Sequence, residues 1–236
     1  TERSMHGREH YMTLQGESRV ADTSTEMVVM RDITKIYSNN VVASNHVNFS
    51  VKKGEIHAIM GENGAGKTTL MKILFGLERP DSGEIYLHGE KVTIGSPLTA
   101  IRLGIGMVHQ HFMLVPNLTV AENMFLGIEP HKKGFFSDRG EMEKAAAEVC
   151  EKYNFPLNPR DKVKNLSVAS MQKLEILKAL VRGAKILILE EPTEVLTPQE
   201  TSELFRQLVD FKDNGFTIIF ISHKLREIKE ICDRIT

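Results

Sequence analysis

GENGAGKT, residues 61–68, joins two apolar segments of different periodicity. The preceding segment, IHAIM at Ile56–Met60, is typical of a buried β-strand. The following segment, TLMKILFGL at Thr69–Leu77, has aliphatic residues at helical spacing. The pattern G-x-x-x-x-G-K-[ST] binds phosphate when it lies between a strand and a helix, because loop N–H groups and the helix N-terminus face the anion. We therefore predict a phosphate-binding loop rather than a merely flexible one.

Each position of this loop has an expected chemical role. Lys67 is expected to neutralise the β- and γ-phosphates, Thr68 to give its hydroxyl to Mg²⁺, and Thr69 to hydrogen-bond phosphate from the first helical turn. The glycines permit the tight turn that directs backbone N–H groups toward phosphate oxygens. The residues predicted to bind ATP in this segment are Gly61, Asn63, Gly64, Ala65, Gly66, Lys67, Thr68 and Thr69.

The segment ILILEEPTEVLTP, residues 186–198, ends an apolar run with two adjacent carboxylates. Four consecutive aliphatic residues predict a strand buried on both faces, as in a parallel sheet. Acids at a buried strand end need a partner, which is a metal ion, a reacting water or a cationic side chain, unless the strand end is simply solvated. Beside a nucleotide that partner is Mg²⁺, so we expect Glu190 to lie on the magnesium side and Glu191 to polarise the attacking water.

Composition and charge limit the partners and the cellular compartment that the sequence predicts. The chain has 236 residues, 41% of them hydrophobic, and its 30 basic and 31 acidic residues leave a formal charge of -1. No overall positive field favours nucleic acid, so no nucleic-acid partner is predicted. Cys150 and Cys232 lack metal-binding or redox spacing and indicate free thiols in a reducing compartment. No apolar run is long enough to cross a bilayer, and residues 1–26 are expected to be a polar tail or a linker.

The rest of the chain alternates strand and helix patterns. Short β-rich segments begin at Met27, and EIYLHGEKV resembles a hairpin that turns near His88. The pattern becomes mostly helical at about 112–183, which predicts a helical lobe inserted into the α/β lobe. The strands ILIL and TIIFI then flank the amphipathic segment ETSELFRQLVDFKDNG, as in a parallel βαβ unit.

Five motifs in a fixed order resemble the ATP-binding subunits of ABC transporters over residues 27–236. They are GENGAGKTT as the phosphate loop, MVHQHFMLVPNLTVAEN as the Q-loop region, LSVASMQKLEILKAL as the signature helix, ILILEEPTEVLTP as Walker B with the D-loop, and ISHKL as the switch-histidine segment. The resemblance implies a P-loop NTPase core with a parallel sheet, an antiparallel β subdomain and an inserted helical subdomain. The sequences of these motifs most resemble the first half of tandem ATPases of simple-sugar and nucleoside importers.

The resemblance also implies further roles for single residues. Tyr37 would stack on adenine, although a packed strand tyrosine is the alternative. Gln110 would approach Mg²⁺ and the attacking water, and His223 would contact the γ-phosphate and hold Glu191. The expected metal site thus comprises Thr68, Gln110 and Glu190, and the catalytic residues are Glu191, His223 and Gln110. A metal pair formed by the histidines that flank Gln110 is a weaker alternative.

In this family two ATPase domains pack head to tail, so each ATP lies against the partner's signature segment. The residues expected to contact the partner's ATP are Ser167, Val168, Ala169 and Ser170. The other partners implied are membrane permease subunits and, indirectly, an extracytoplasmic substrate-binding protein. The expected location is the inner face of the cell membrane, as a peripheral cytoplasmic domain.

Four features depart from the family pattern. Ala169 stands where the signature has glycine, Glu190 where Walker B has aspartate, and Glu194 where the D-loop has a small residue. If this position needs a positive φ or a close approach to phosphate, Ala169 would hinder contact with the partner's ATP. The chain also stops soon after the switch histidine, as expected of a shortened domain. An ATP-binding regulatory half with little hydrolysis is therefore an alternative function. A soluble ABC ATPase that acts on ribosomes or DNA is a third, disfavoured by the near-zero charge.

Overall fold

The computed structural model describes residues 26–62, 64–130 and 138–236. The strands of these residues, in chain order, are β1 Glu26–Ile36, β2 Val42–Lys52, β3 Ile56–Ile59, β4 Ser82–Leu87, β5 Glu90–Val92, β6 Ile105–Val108, β7 Ile186–Glu190, β8 Thr217–Ile221 and β9 Arg234–Ile235. Their helices are α1 Lys67–Leu74, α2 Pro97–Arg102, α3 Val120–Phe125, α4 Arg139–Lys152, α5 Val168–Val181, α6 Pro198–Asp213 and α7 Leu225–Ile231.

One sheet is antiparallel, with strand order β2-β1-β4-β5. Glu26, which the sequence pattern assigned to the polar tail, is the first residue of β1 and pairs with Lys52 of β2. The rest of the predicted tail lies outside the described residues. The predicted hairpin is the β4-β5 unit, whose turn residues His88 and Gly89 have φ values of 52° and 82°. Two positive φ values match the turn type that suits the right-handed twist of a hairpin.

The other sheet is parallel, with strand order β6-β7-β8-β3-β9. Its side chains alternate between two cores, because successive residues of a strand point to opposite faces. In β7, Leu187 and Leu189 pack against the larger helices, whereas Ile186 and Ile188 pack in the cluster that holds α1 and the antiparallel sheet. Both faces are therefore covered, as the continuous apolar run predicted. The α/β class expected from the sequence is confirmed.

Helices α3, α4 and α5 fall within the segment of about 112–183 that the sequence predicted to be helical. Helix α3 begins with a capping box in which Thr119 and Glu122 satisfy each other's backbone N–H groups. The sequence pattern missed α2, although Ser96 and Pro97 are strong helix-start signals there. It also missed α7 and the two-residue strand β9, which exists only through its pairing with β3.

Candidate active site

A cleft of about 350 Å³ opens at the carboxyl ends of β3, β7 and β8. Ligands of open α/β sheets bind at this edge, because the loops that follow parallel strands meet there. The lining residues are Tyr37, Val41, Val42, Ala43, Gly64, Ala65, Gly66, Lys67, Thr68, Thr69, Gln110, Glu190, Glu191, Glu194, Ile221 and His223. Of the predicted site residues, Asn63 lies outside the described residues, and Gly61 contacts the cleft residue Lys67.

The phosphate loop needs glycine for two separate reasons. Gly64 and Gly66 have φ values of 87° and 85°, a region that side chains with Cβ rarely adopt. A Cβ on Gly66 would also lie 2.1 Å from the carbonyl oxygen of Ala43 in β2. The loop is therefore packed directly on the backbone of the antiparallel sheet.

The ammonium group of Lys67 is held within the phosphate loop. Its Nζ donates to the carbonyl oxygens of Gly61 at 2.6 Å and Glu62 at 2.9 Å. An ammonium has three N–H donors, so these bonds occupy two of them. Lys67 is also the first residue of α1, and Gly66 is the N-cap of that helix. Its positive charge thus adds to the partial positive charge of the helix N-terminus.

Thr68 and Glu190 meet across the cleft, although 122 residues separate them in sequence. The Thr68 hydroxyl donates to Oε1 of Glu190 at 2.5 Å. The His109 imidazole, with Nδ1 3.9 Å from Oε2, and the Thr68 hydroxyl lower the pKa of the Glu190 carboxyl below its ordinary range, against the effect of burial. A hydroxyl and an ionised carboxylate are the hard oxygen ligands that Mg²⁺ prefers. The donor chemistry at this point fits a magnesium ion.

Glu191 is held in a strained conformation beside His223. Its φ of 45° lies in the left-handed region, and its N–H donates to the carbonyl oxygen of Ile221 at 3.0 Å. Nδ1 of His223 lies 2.9 Å from Oε1 of Glu191. Among the described residues, Oε2 of Glu191 is buried without a hydrogen-bond partner. Such strain and an unsatisfied buried acceptor are typical of functional sites.

Gln110 lies in the cleft, but its side-chain amide is bonded to an acid that the sequence reasoning did not place there. Nε2 of Gln110 donates to Oε2 of Glu194 at 2.7 Å. The sequence identified Glu194 only as an unusual D-loop residue. The signal that could have placed Glu194 in the cleft is that an acid stands at a D-loop position where the family has a small residue.

Tyr37 and two valines form the apolar end of the cleft. Tyr37 is half-buried, and its hydroxyl lies 3.4 Å from Oγ1 of Thr69. Val41 and Val42 are 52% and 53% exposed and line the same cleft. A flat ring can pack on such a wall. Sequence reasoning missed both valines, because a single apolar pair beside a turn carries no periodic signal.

The signature residues do not line the cleft of their own chain. Ser167 caps α5, and its Oγ accepts from the backbone N–H of Ser170 at 3.2 Å. Val168, at the start of the helix, is 41% exposed. Ala169 lies in the first turn of α5 and is absent from the residues with positive φ in the described chain. The backbone at Ala169 is therefore helical in this chain, and alanine adopts it without strain.

The described residues contain neither a membrane-spanning helix nor a cluster of acidic, histidine and cysteine side chains that could hold a metal. No helix there combines the length and the apolar character needed to cross a membrane. No cluster of three or more histidine, cysteine, aspartate or glutamate residues in those ranges is arranged to hold a metal. The alternative of a histidine metal pair beside Gln110 thus gains no further ligand from the described structure.

Comparisons with known proteins agree with this geometry. The family model described as "ABC transporter" matches residues 44–194. The guanosine import ATP-binding protein NupO of Bacillus subtilis is 51% identical over 210 residues, which cover 89% of this chain and 41% of NupO. The ribose import ATP-binding protein RbsA 1 of Rubrobacter xylanophilus is 48% identical over the same length, with 89% and 42% covered. The chain thus spans about two fifths of these relatives.

A solved structure gives the same result for the fold. It is a dimeric ATP-binding cassette in a post-hydrolysis state, bound to ADP and Pi, and it is 27% identical with a TM-score of 0.74. The match covers 89% of this chain and 93% of that chain. The cleft, the order of the motifs and these similarities lead to one conclusion: the chain is an ATP-binding domain of the ABC transporter family.

Proposed function

We propose that this domain hydrolyses Mg-ATP and thereby drives a membrane importer for nucleosides or simple sugars. One observation carries the proposal: the loop lysine, the Thr68–Glu190 pair and the Glu191–His223 pair share one cleft. Residues 26–236 would act as the ATP-binding domain, with the helices of about 112–183 as its helical subdomain.

The cleft offers separate groups for each part of the nucleotide. Tyr37 and the two valines beside it would pack on the base, whereas Lys67 and the loop N–H groups would neutralise the phosphates. Thr68 and Glu190 would hold Mg²⁺, with Gln110 beside them. When bound, Mg²⁺ supplies positive charge that stabilises the β- and γ-phosphate oxygens.

Glu191 and His223 are placed to assist the attack of water on the γ-phosphorus. The free Oε2 of Glu191 can accept a proton from water, while His223 fixes the other oxygen. The new bond joins the water oxygen to phosphorus, and the bond to the β-phosphate oxygen breaks, which releases ADP. The exposed His223 side chain can also contact the γ-phosphate.

Hydrolysis in this proposal requires a second ABC ATPase domain, in a homodimer or as a tandem half. Ser167 and Val168 are exposed at the N-terminus of α5, where the helix dipole favours an anion. They would meet the γ-phosphate bound by the second domain. The dimeric ATP-binding cassette with the same fold supports the requirement for a second domain.

The importer is proposed from the relatives' functions. NupO is a guanosine import ATP-binding protein and RbsA 1 is a ribose import ATP-binding protein, and they are 51% and 48% identical to this chain. The domain would bind permease subunits on the inner face of the cell membrane, and a substrate-binding protein would act through the permease. Nucleic acid is not a proposed partner, because the formal charge of the chain is -1.

The test is Mg²⁺-dependent ATP hydrolysis by the purified chain at increasing protein concentration. We expect the rate to rise more than linearly, because two domains form each site. Glu191→Gln should lower kcat by about 100-fold or more while ATP still binds. A rate that is absent in the wild type, or equal in the variant, would contradict the proposed catalytic role.

A second candidate is an ATP-binding regulatory half with little hydrolysis. The observation in its favour is the direct 2.5 Å bond between Thr68 and Glu190, which places the two proposed metal ligands against each other. Tight ATP binding without turnover, in the presence of a catalytically competent second domain, would favour this candidate.

A further inference from the structure

Two charged residues of α5 hold both backbone groups of Met113. The N–H of Met113 donates to Oε1 of Glu175 at 2.5 Å, and Nζ of Lys178 donates to the carbonyl oxygen of Met113 at 2.7 Å. Nζ of Lys178 also lies 3.2 Å from Oε2 of Glu175. We call these three residues the Met113 clamp.

The two charged side chains of the clamp are largely buried. The side chains of Glu175 and Lys178 are 6% and 14% exposed, and burial lowers the pKa of Lys178. Buried ion pairs contribute little net stability, because desolvation offsets the attraction. Such a pair does impose geometry, since each charge must keep its hydrogen-bond partners. Here those partners are the backbone groups of one loop residue.

Side-chain packing does not explain the position of Met113, whose side chain is 62% exposed. The backbone of Val115 is held in a similar way, by the buried amide of Asn123 at 2.7 Å and 3.1 Å. Gln110 lies between the end of β6 at Val108 and the clamp at Met113. Its backbone is therefore tethered on both sides within five residues.

We propose that Glu175 and Lys178 are positioning residues that set the place of Gln110 in the cleft through Met113. The inference rests on the proposed function. Helix α5 also carries Ser167 at its N-terminus, on the surface proposed to meet a second domain. A shift of α5 on docking therefore moves the Gln110 segment with it, because a helix of 14 residues transmits displacement as a rigid unit.

The first test compares three variants of α5. Lys178→Met keeps the length of the side chain but removes the donor and the charge, whereas Lys178→Arg keeps both. Lys173→Met is the matched control, because Lys173 also lies on α5 but outside the clamp, where it forms a 2.8 Å ion pair with Glu203 of α6. We expect Lys178→Met to lower kcat by about 10- to 100-fold with an unchanged Kd for ATP, and the other two variants to stay near wild type.

A double-mutant cycle with Gln110→Ala separates positioning from a general loss of structure. If the clamp acts through Gln110, adding Lys178→Met to Gln110→Ala lowers kcat no further. If the double variant instead loses kcat by the product of the two single fold-losses, the substitutions act independently and the proposal is overturned.

Hydrogen exchange of the peptide that contains Met113 gives a readout independent of hydrolysis. Lys178→Met should accelerate exchange there and leave β7 unchanged. An inactive wild type would count against the proposed function alone, whereas unchanged exchange at Met113 would overturn the clamp.

Discussion

Gln110 donates a 2.7 Å hydrogen bond to Glu194, a residue 84 positions later in the chain. Glu194 follows the strained Glu191 and donates its own N–H to the carbonyl oxygen of that residue at 3.2 Å. Because a carboxylate only accepts, the bond turns the amide nitrogen of Gln110 toward Glu194. Glu194 also brings a third carboxylate into the cleft, beside Glu190 and Glu191.

Glu194→Ala should strengthen Mg-ATP binding. The substitution removes an exposed negative charge from the site proposed for an anionic ligand, so Kd should fall by about two- to fivefold at low salt. The gain should shrink at high salt, because screening weakens exposed charges. Isothermal titration at two salt concentrations measures both effects. Glu151→Ala, an exposed acid of α4 outside the cleft, is the control and should change neither value. A higher Kd for Mg-ATP in Glu194→Ala would show that the bond between Glu194 and Gln110 outweighs the repulsion between Glu194 and the phosphates.

Glu190→Asp should lower the Mg²⁺ concentration needed for half-maximal hydrolysis. The direct bond from Thr68 leaves little room between the two oxygens, and the shorter side chain withdraws the carboxylate by roughly 1.5 Å. We expect kcat to rise several-fold, measured by magnesium titration of the ATPase rate. Glu190→Gln keeps the length and removes the charge, so it should raise the magnesium requirement instead. Equal effects of both variants would contradict this account.

Gly66→Ala should destabilise the fold more than a glycine substitution with similar backbone strain. Gly215 has a φ of 84°, close to the 85° of Gly66, but a Cβ on Gly215 meets nothing within 4 Å. Both variants incur about 1 kcal/mol of backbone strain, and Gly66→Ala adds the clash with Ala43. Urea denaturation should place Gly66→Ala about 1–3 kcal/mol below Gly215→Ala. Equal stabilities would mean that the loop moves away from β2 at no cost.

His57 should make the stability of the domain depend on pH. The side chain is 1% exposed, and burial, together with the charge of Arg234, lowers its pKa below the ordinary 6.5 despite the opposing bond to Glu55. In the unfolded chain His57 therefore binds a proton more readily than in the folded chain. The contribution of His57 to the free energy of unfolding is fully present above pH 6.5 and is lost as the pH falls below that value.

Urea denaturation between pH 5 and pH 8 measures this effect, which reaches at most about 1.4 kcal/mol per pH unit for one proton. His57→Gln should flatten the slope below pH 6.5. His88→Asn is the matched control, because His88 is exposed in the β4-β5 turn and asparagine tolerates its positive φ. An unchanged slope in His57→Gln would assign the dependence to other groups.

The sequence predicted the elements that local pattern defines. Strand β7, the phosphate loop and α6 were recognisable, because buried strands and amphipathic helices have short characteristic periods. Helix α2 carried cap signals that were overlooked, whereas β9 carried none. A two-residue strand is stabilised only by the strand beside it, so its own residues cannot reveal it.

The candidate site divides in the same way. The sequence by itself determined the phosphate loop and the pair of acids that ends β7, since each depends on residue types at fixed spacing within one segment. Only the tertiary structure decided that Thr68 contacts Glu190, that Gln110 contacts Glu194, and that two residues of α5 hold Met113. These pairs are 122, 84, 62 and 65 residues apart, and the order of the parallel strands and the packing of the helices bring them together. Such contacts arise from burial of the whole core, which no local stretch of sequence encodes.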